Sequence, residues 1–164
     1  MKRWCRLLLP MFFCATMLHA GGRPLQKLPP AQVKKELAAI APLAITYGHG
    51  PKIIDLFVDP RCSVSRRFMH FIFGKPAMAK RYTYRIYLDE LPRLKSRHLI
   101  AYIYSQPNPL NALKRVMLEN ETPDDAKDFE PDEAVERGME AIEKTGKEIG
   151  VFKRPYIIYN GKAK

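Results

Sequence analysis

The spacing of apolar positions predicts strands and helices that alternate along the chain. Residues 53–58 are apolar at nearly every position and are bounded by turn-forming residues, which is typical of a central strand covered on both faces. Apolar and polar residues alternate from Tyr82 to Leu88, which predicts a second strand. A helical pattern lies between the two runs, so we expect them to form a parallel pair joined by a right-handed crossover.

Several other stretches carry apolar residues at helical spacing and therefore predict helices. In the helix that follows Cys62, we expect Phe68, Phe71 and Ile72 to face inward. The predicted helices cover residues 31–41, the stretch after Cys62, segments 99–104 and 110–118, and residues 132–149.

The end of the chain predicts a hairpin. Residues 156–159 read as a strand, and Asn160-Gly161 follows them directly. This dipeptide is the strongest two-residue hairpin signal. A partner strand is therefore expected in the three residues that remain.

Residues 1–20 have the composition of a secretory signal peptide. A basic start precedes an apolar run from Leu7 to Leu18, and the small residue Ala20 marks the expected cleavage site. The alternative is an uncleaved anchor, which is the one membrane contact that we expect. We therefore expect export to the periplasm. The predicted divisions are a signal peptide (1–20), a tether and linker helix (21–50), and a domain (51–164).

The net charge of +11 arises from 28 Lys and Arg against 17 Asp and Glu. These basic residues are spread along the chain, and no basic motif is interleaved with aromatic residues. A solvated surface is the better interpretation, and we expect no nucleic-acid partner. The histidines show no ligand spacing, so we expect neither a metal nor a cofactor.

The cysteine count is more informative. Cys5 and Cys14 leave with the predicted signal peptide, so Cys62 is the single cysteine of the exported chain. A leftover cysteine in an oxidising compartment is either buried and inert or a reactive thiol. Its expected place at a helix start favours the thiolate, which is the nucleophilic form.

The order of these elements resembles the thioredoxin superfamily and, within it, the catalytic domain of periplasmic DsbC/DsbG-type disulfide isomerases. The resemblance covers about Ala31 to Lys164 and is carried by the segments LFVDPRC and FKRPYIIYNGK. It implies an α/β, thioredoxin-like fold with a helical insertion, whose last strand and helix are expected to be cut short. It also implies that Cys62 is the nucleophile, that Pro155 is a cis-proline facing it, and that Arg154 faces a substrate bound by β-strand addition.

The sequence departs from this family at the second active-site cysteine. The motif is Cys62-Ser63-Val64-Ser65, so Ser65 takes the resolving position, where its hydroxyl is expected to bond the thiolate. A lone thiol still attacks a disulfide and is released by another thiol, which amounts to isomerisation or reduction. The expected partners are disulfide-containing or misfolded exported proteins and an external thiol or reductase. The alternative is an inactive chaperone or assembly factor of a secretion or conjugation system.

Two acids near the cysteine have open roles. Asp55 lies within the apolar strand and is either a structural acid or a proton relay to the thiol. Asp59 precedes Pro60 and is expected to shape the turn rather than to take part in catalysis.

Overall fold

The computed structural model describes residues 28–164, so the predicted signal peptide and most of the tether lie outside the described residues. The described chain has five strands and six α-helices, with short 3₁₀ helices at Ala41–Leu43, Pro92–Leu94 and Asp124–Ala126. The strands are β1 (Ile45–Tyr47), β2 (Lys52–Val58), β3 (Tyr82–Leu88), β4 (Tyr156–Tyr159) and β5 (Lys162–Ala163). The helices are α1 (Pro30–Ile40), α2 (Ser63–Phe73), α3 (Pro76–Arg81), α4 (Arg97–Ser105), α5 (Pro109–Leu118) and α6 (Glu133–Ile149).

The strands form one sheet in the order β1-β3-β2-β4-β5. The two strands predicted from the apolar runs are confirmed, and they pair in parallel from Lys52 opposite Tyr82 to Val58 opposite Leu88. Strands β1 and β4 lie on either side of this pair and run antiparallel to their neighbours. The carboxyl ends of β2 and β3 therefore lie side by side at the same end of the sheet.

Helices cover both faces of the sheet. On one face, Leu56 and Val58 pack in a core with α2, α4 and α5. On the other face, Phe57 and Tyr87 pack in a second core with α1 and part of α6. The Phe57 and Tyr87 rings stack with their centroids 5.0 Å apart. Because β2 is buried on both faces, its sequence is apolar at nearly every position.

The predicted hairpin is present. Asn160 and Gly161 both have positive φ, 53° and 72°. This is the backbone that the tight turn requires, and it suits Asn and Gly. Strand β5 follows and pairs antiparallel with β4, with Tyr159 opposite Lys162. A Cβ at Gly161 would lie 2.2 Å from the Pro30 carbonyl oxygen, so the turn packs directly on the start of α1.

The segment assigned to a tether and linker helix contributes to the sheet and its core. Helix α1 buries Val33, Leu37 and Ile40 in the same cluster as Phe57. Strand β1 pairs with β3 along an edge of the sheet. The sequence alone does not predict β1, because three residues are too few to show a strand alternation.

The prediction for the buried face of α2 is wrong in one position. Phe71 is 45% exposed, and Met69 is buried instead. The inward face of α2 follows Ser65, Met69 and Ile72, which are spaced for one face of a helix. The Lys75 ammonium lies 4.3 Å from the centre of the exposed Phe71 ring. Helix α3 was also missed, because Pro76 begins a new helix as well as ending the previous one.

Candidate functional site

The Cys62 thiol lies at the end of β2, where the chain turns into α2. Asp59 Oδ1 accepts a hydrogen bond of 2.7 Å from the Arg61 N–H, and the Cys62 N–H donates to the Asp59 carbonyl at 3.0 Å. This tight turn makes Cys62 the residue immediately before the first turn of α2. A thiol in this place lies beside the unpaired N–H groups of the helix. Cys62 as a whole residue is 5% exposed.

Asp59 is the centre of the turn that carries the thiol. Its side chain is fully buried, and its second oxygen, Oδ2, accepts hydrogen bonds from the Leu91 N–H at 2.6 Å and from the Ser96 hydroxyl at 2.8 Å. Asp59 therefore shapes the turn, as expected, and also ties it to the segment that follows β3. A buried carboxylate with three donors is well compensated for its loss of solvation.

Two arginines near the thiol are bound to backbone carbonyls. Arg61 Nη1 donates to the carbonyls of Leu94 and Lys95, at 3.3 and 2.9 Å. Arg66 Nε donates to the Pro60 carbonyl at 2.7 Å, and its Nη1 donates to the Asn120 side chain. Both guanidinium groups thus brace the turn while they add positive charge near it.

Ser65 occupies the resolving position without bonding to the thiol. It is fully buried on α2, and its hydroxyl accepts a long hydrogen bond of 3.5 Å from the Asp59 N–H. In the described part of the chain no hydrogen bond joins Ser65 Oγ to Cys62 Sγ. The expected Ser65–thiolate contact is therefore not made, because the hydroxyl is turned toward the end of β2.

The segment before β4 lies opposite the thiol. The Arg154–Pro155 peptide bond is cis, which is the form that the resemblance implies. The Cys62 Sγ donates to the Arg154 carbonyl oxygen at 3.5 Å. The structure thus brings Cys62, Arg154 and Pro155 together, across 92 positions of sequence.

The Arg154 side chain points inward rather than toward a substrate. Its Nε donates to the Asp89 carbonyl at 3.1 Å, and its Nη2 forms an ion pair with Asp89 Oδ2. The two side chains are 7% and 6% exposed. What Arg154 presents to the thiol is its backbone carbonyl. The guanidinium is directed inward because a buried carboxylate is available there.

Burial dominates the electrostatics of this pair. It raises the pKa of the Asp89 carboxyl to about 6, although the Arg154 guanidinium acts in the opposite direction. Burial likewise lowers the pKa of Arg154, against the attraction of Asp89. Both charges are therefore held at a cost in desolvation, and Asp89 titrates close to neutral pH.

The sequence analysis missed Asp89, although a signal was available. Val58-Asp59 ends one predicted strand and Leu88-Asp89 ends the next, and Val58 and Leu88 are paired in the sheet. The Asp89 N–H donates to the Val58 carbonyl at 2.9 Å. Acids that follow two parallel strands meet at the same edge, which is where sites form in such sheets.

Asp55 is a structural acid in this arrangement. Arg85, its partner in the neighbouring strand, donates Nε to Oδ1 at 2.7 Å and Nη2 to Oδ2 at 2.9 Å. The Tyr87 hydroxyl adds a third hydrogen bond at 3.2 Å. No hydrogen bond links Asp55 to Cys62 in the described chain, so the structure gives no path for a proton relay.

A cleft adjoins the site, and a larger cavity lies elsewhere. The cleft has a volume of about 190 Å³ and lies against Asp89 and Arg154, with Leu91, Phe152 and Lys147 among its other walls. The larger cavity, of about 630 Å³, is lined by residues such as Leu43, Tyr104 and Met139 and includes none of the site residues.

The described residues hold no group of His, Cys, Asp and Glu side chains suited to a metal ion. They also contain no helix that is both long enough and apolar enough to cross a membrane.

The arrangement of strands and helices identifies the fold class of the described chain. The parallel β2–β3 pair, the antiparallel β4 and the helices inserted between β3 and β4 make a thioredoxin-like fold with a helical insertion, as expected from the sequence. Neither a family model nor a curated protein sequence matches the chain. The likenesses found are therefore to solved structures.

Three solved structures illustrate the likeness. The catalytic domain of Proteus mirabilis ScsC has a TM-score of 0.63 at 11% identity, over 81% of this chain and 88% of that chain. A disulfide interchange protein from Neisseria gonorrhoeae has a TM-score of 0.59 at 18% identity, over 76% and 85%. The thiol-disulfide exchange protein alpha-DsbA2 from Wolbachia pipientis has a TM-score of 0.55 at 12% identity, over 82% and 88%. At these identities the likeness establishes the fold.

Proposed function

We propose that this protein is an exported thiol–disulfide exchange protein that works through Cys62 alone. The observation that carries the proposal is the position of the thiol: Cys62 precedes the first turn of α2, and its Sγ lies 3.5 Å from the carbonyl before Pro155. The likeness to solved exchange proteins supports the same activity. The signal-like residues 1–20 support export to the periplasm. The sequence motifs favour the DsbC/DsbG type.

The proposed chemistry needs one thiol from this chain and one from outside it. The Cys62 thiolate attacks a sulfur of a substrate disulfide. A bond from Cys62 to that sulfur forms, the substrate bond breaks, and the released thiolate takes up a proton. If a second thiol of the same substrate displaces Cys62, the substrate is isomerised and no net oxidation occurs. If an external thiol displaces Cys62 from the substrate, a second external thiol then attacks the new mixed disulfide. The substrate disulfide is reduced to two thiols, and the two external thiols are oxidised to one disulfide.

The surroundings of the thiol support a polypeptide substrate. Val64, two positions after Cys62, and Phe152, three positions before Pro155, are 48% and 45% exposed. Exposed apolar side chains beside a site fit a disulfide-containing or misfolded exported protein. The Arg154 backbone lies next to the thiol, which fits binding of an extended segment by strand addition.

The second candidate is a chaperone or assembly factor of a secretion or conjugation system that keeps this fold without turnover. The observation that favours it is burial: Cys62 is 5% exposed, and Ser65 gives its sulfur no hydrogen bond in the described chain. An inert cysteine has the same features.

A refolding assay separates the two candidates. The exported chain, with its N-terminus determined by mass spectrometry, is incubated with a scrambled-disulfide protein and glutathione. We expect it to speed recovery of the native substrate, and we expect Cys62→Ala to recover it at the background rate. Equal rates for the two proteins would exclude the enzyme and favour the second candidate. If the equal rates come with suppressed aggregation of the substrate, they would support a chaperone directly.

A further inference from the structure

Asp89 has no part in the exchange chemistry just described, yet it is built into the site. It follows β3 at the same sheet edge as Asp59, and its own N–H continues the pairing of the two strands through the Val58 carbonyl. Its carboxylate is buried and turned toward Arg154. A buried carboxylate beside a reactive centre needs a reason, because its desolvation is costly.

Asp89 holds Arg154 by two separate groups. Its carbonyl accepts from Arg154 Nε at 3.1 Å, and its carboxylate pairs with Nη2 of the same side chain. Residues 150–155 form neither helix nor strand, so few backbone hydrogen bonds fix their course. The fork-shaped guanidinium transmits the position of Asp89 to the Arg154 backbone. The carbonyl of that backbone is the group that meets Cys62 Sγ.

Helix α6 closes the other side of the Asp89 carboxylate. A Cβ at Gly146 would lie 2.9 Å from Asp89 Oδ2, so the helix approaches this closely because residue 146 has no side chain. The Gly146 carbonyl also accepts from the Val151 N–H at 2.8 Å, which ties the start of the 150–155 segment to the same turn of α6. The carboxylate is therefore confined between α6 and Arg154.

We propose that Asp89 is a positioning residue, which through its pair with Arg154 holds the Arg154 carbonyl at the Cys62 thiol in the geometry needed for disulfide exchange. This inference rests on the proposed function, since the exchange step is what the geometry serves. Asp89 makes no hydrogen bond to the Cys62 sulfur in the described chain and acts through its pair with Arg154.

The charges around Asp89 give the pair a pH dependence. Arg154 and Lys147 favour the ionised carboxylate, and Glu143 on α6 and Asp59 at the end of β2 oppose it. Glu90, its neighbour in sequence, also lines the cleft. Burial outweighs these charges and raises the pKa of Asp89 to about 6. As the pH falls through this value, Asp89 becomes neutral, the ion pair is lost and the carbonyl is less firmly held.

Protonation of Asp89 should stabilise the folded protein while it slows disulfide exchange. Because the pKa of Asp89 is raised in the folded protein, proton uptake favours folding, and this contribution to stability declines as the pH rises through about 6. Asp89→Asn imitates the protonated carboxyl at nearly the same volume, so we expect it to fold. A variant that stays folded and exchanges more slowly per folded molecule is the signature of a positioning role.

The test compares the wild type with Asp89→Asn in exchange with a synthetic peptide disulfide. At about pH 7.5 we expect the variant to form the mixed disulfide about tenfold more slowly, while iodoacetamide, which needs no alignment, alkylates Cys62 at a rate within about threefold of wild type. At about pH 5 the two exchange rates should converge, because the wild-type Asp89 is then mostly protonated and residue 89 is uncharged in both proteins. The ratio of the two rates at each pH removes the effects of pH that both proteins share.

Controls separate failure of this inference from failure of the proposed function. Arg154→Lys keeps the charge and loses the forked contact, so we expect it to resemble Asp89→Asn. Glu140→Gln makes the same carboxylate-to-amide change at an exposed position of α6 and should behave as wild type. Equal exchange rates for wild type and Asp89→Asn at both pH values would overturn the positioning role.

A readout without turnover completes the test. We expect amide hydrogen exchange in residues 150–157 to be faster in Asp89→Asn than in the wild type at about pH 7.5, with rates corrected for the intrinsic effect of pH. Unchanged protection would contradict the positioning role, whether or not the wild type exchanges disulfides. A wild type that exchanges no faster than Cys62→Ala would instead refute the proposed function.

Discussion

Two acid–arginine pairs, one within the sheet and one at the end of its central strands, differ in what they hold. Asp55 and Arg85 are direct neighbours in the middle of β2 and β3, and their pair is completed by the Tyr87 hydroxyl. Asp89 and Arg154 join the end of β3 to the segment before β4. The first pair links two strands that already pair through their backbones. The second links a rigid strand end to a backbone carbonyl that meets the thiol.

The comparison shows that position in the sheet, more than the chemistry of the pair, decides its role. Each pair combines a carboxylate and a guanidinium with additional hydrogen bonds. The pair in the middle of the sheet makes no hydrogen bond to Cys62 in the part of the chain that the structure describes, so we expect removal of one partner to affect stability rather than exchange. The carboxyl edge of parallel strands opens on the site, so a charge there serves its geometry. Substitutions in the two pairs should therefore have opposite consequences.

A large effect on stability is expected from Asp55→Asn. This change leaves the Arg85 guanidinium without a charged partner, and we expect it to lower the free energy of unfolding by about 2–3 kcal/mol, since Arg85 retains some solvent. Exchange per folded molecule should stay the same. Urea unfolding measures the first quantity, and the exchange assay under native conditions measures the second. A loss of exchange at unchanged stability would place Asp55 in the site and support a proton relay from Asp55 to the Cys62 thiol.

A smaller effect, on the exchange rate, is expected from Gly146→Ala. This substitution on α6 acts on the Asp89–Arg154 pair. The new Cβ would lie 2.9 Å from Asp89 Oδ2 and displace the carboxylate. Alanine also gains up to about 1 kcal/mol of helix propensity, so the free energy of unfolding should change little. Disulfide exchange should slow about threefold, because the Arg154 carbonyl is less well placed.

Gly138→Ala is the matched control on the same helix. Its Cβ would lie 3.5 Å from Leu43 Cδ2, an ordinary contact. We expect this variant to gain up to about 1 kcal/mol in the free energy of unfolding and to exchange as the wild type does. If Gly146→Ala matched it in both measurements, the close approach of α6 to Asp89 would have no functional consequence.

The smallest effect on stability and on exchange is expected from Ser65→Ala. The Ser65 hydroxyl accepts one long hydrogen bond from the Asp59 N–H at 3.5 Å. We expect a loss of less than about 1 kcal/mol in the free energy of unfolding and an exchange rate within about twofold of wild type. Chemical denaturation and the peptide exchange assay check the two values. A tenfold loss of exchange would indicate that Ser65 acts on the thiolate, as the sequence motif suggested.

Much of the fold could be predicted from local patterns. The strands β2 and β3 were evident from a continuous apolar run and an alternating one, and the β4–β5 hairpin from Asn160-Gly161. Strand β1 could not be found in this way, since it has three residues and forms through its pairing with β3. Phe71 was misplaced because the inward face of α2 is set by the packing of Met69 and Ile72.

The site was predictable where it depends on sequence neighbours and unpredictable where it depends on long-range contacts. The Asp59-Pro60 turn and the place of Cys62 before a helix follow from adjacent residues. The inward direction of the Arg154 side chain depends on Asp89, which is 65 positions away. The turning of Ser65 Oγ away from the sulfur depends on the packing of α2 against the end of β2.

The central claim is that Cys62 forms a mixed disulfide with a substrate, and mass spectrometry of the intact protein tests it directly. The protein without residues 1–20 is mixed with excess peptide disulfide and quenched with acid, and its intact mass is measured without reduction. We predict an adduct of one peptide per chain, mapped to Cys62 and absent from Cys62→Ala. The absence of any adduct, in a sample where iodoacetamide still alkylates Cys62, would contradict the account.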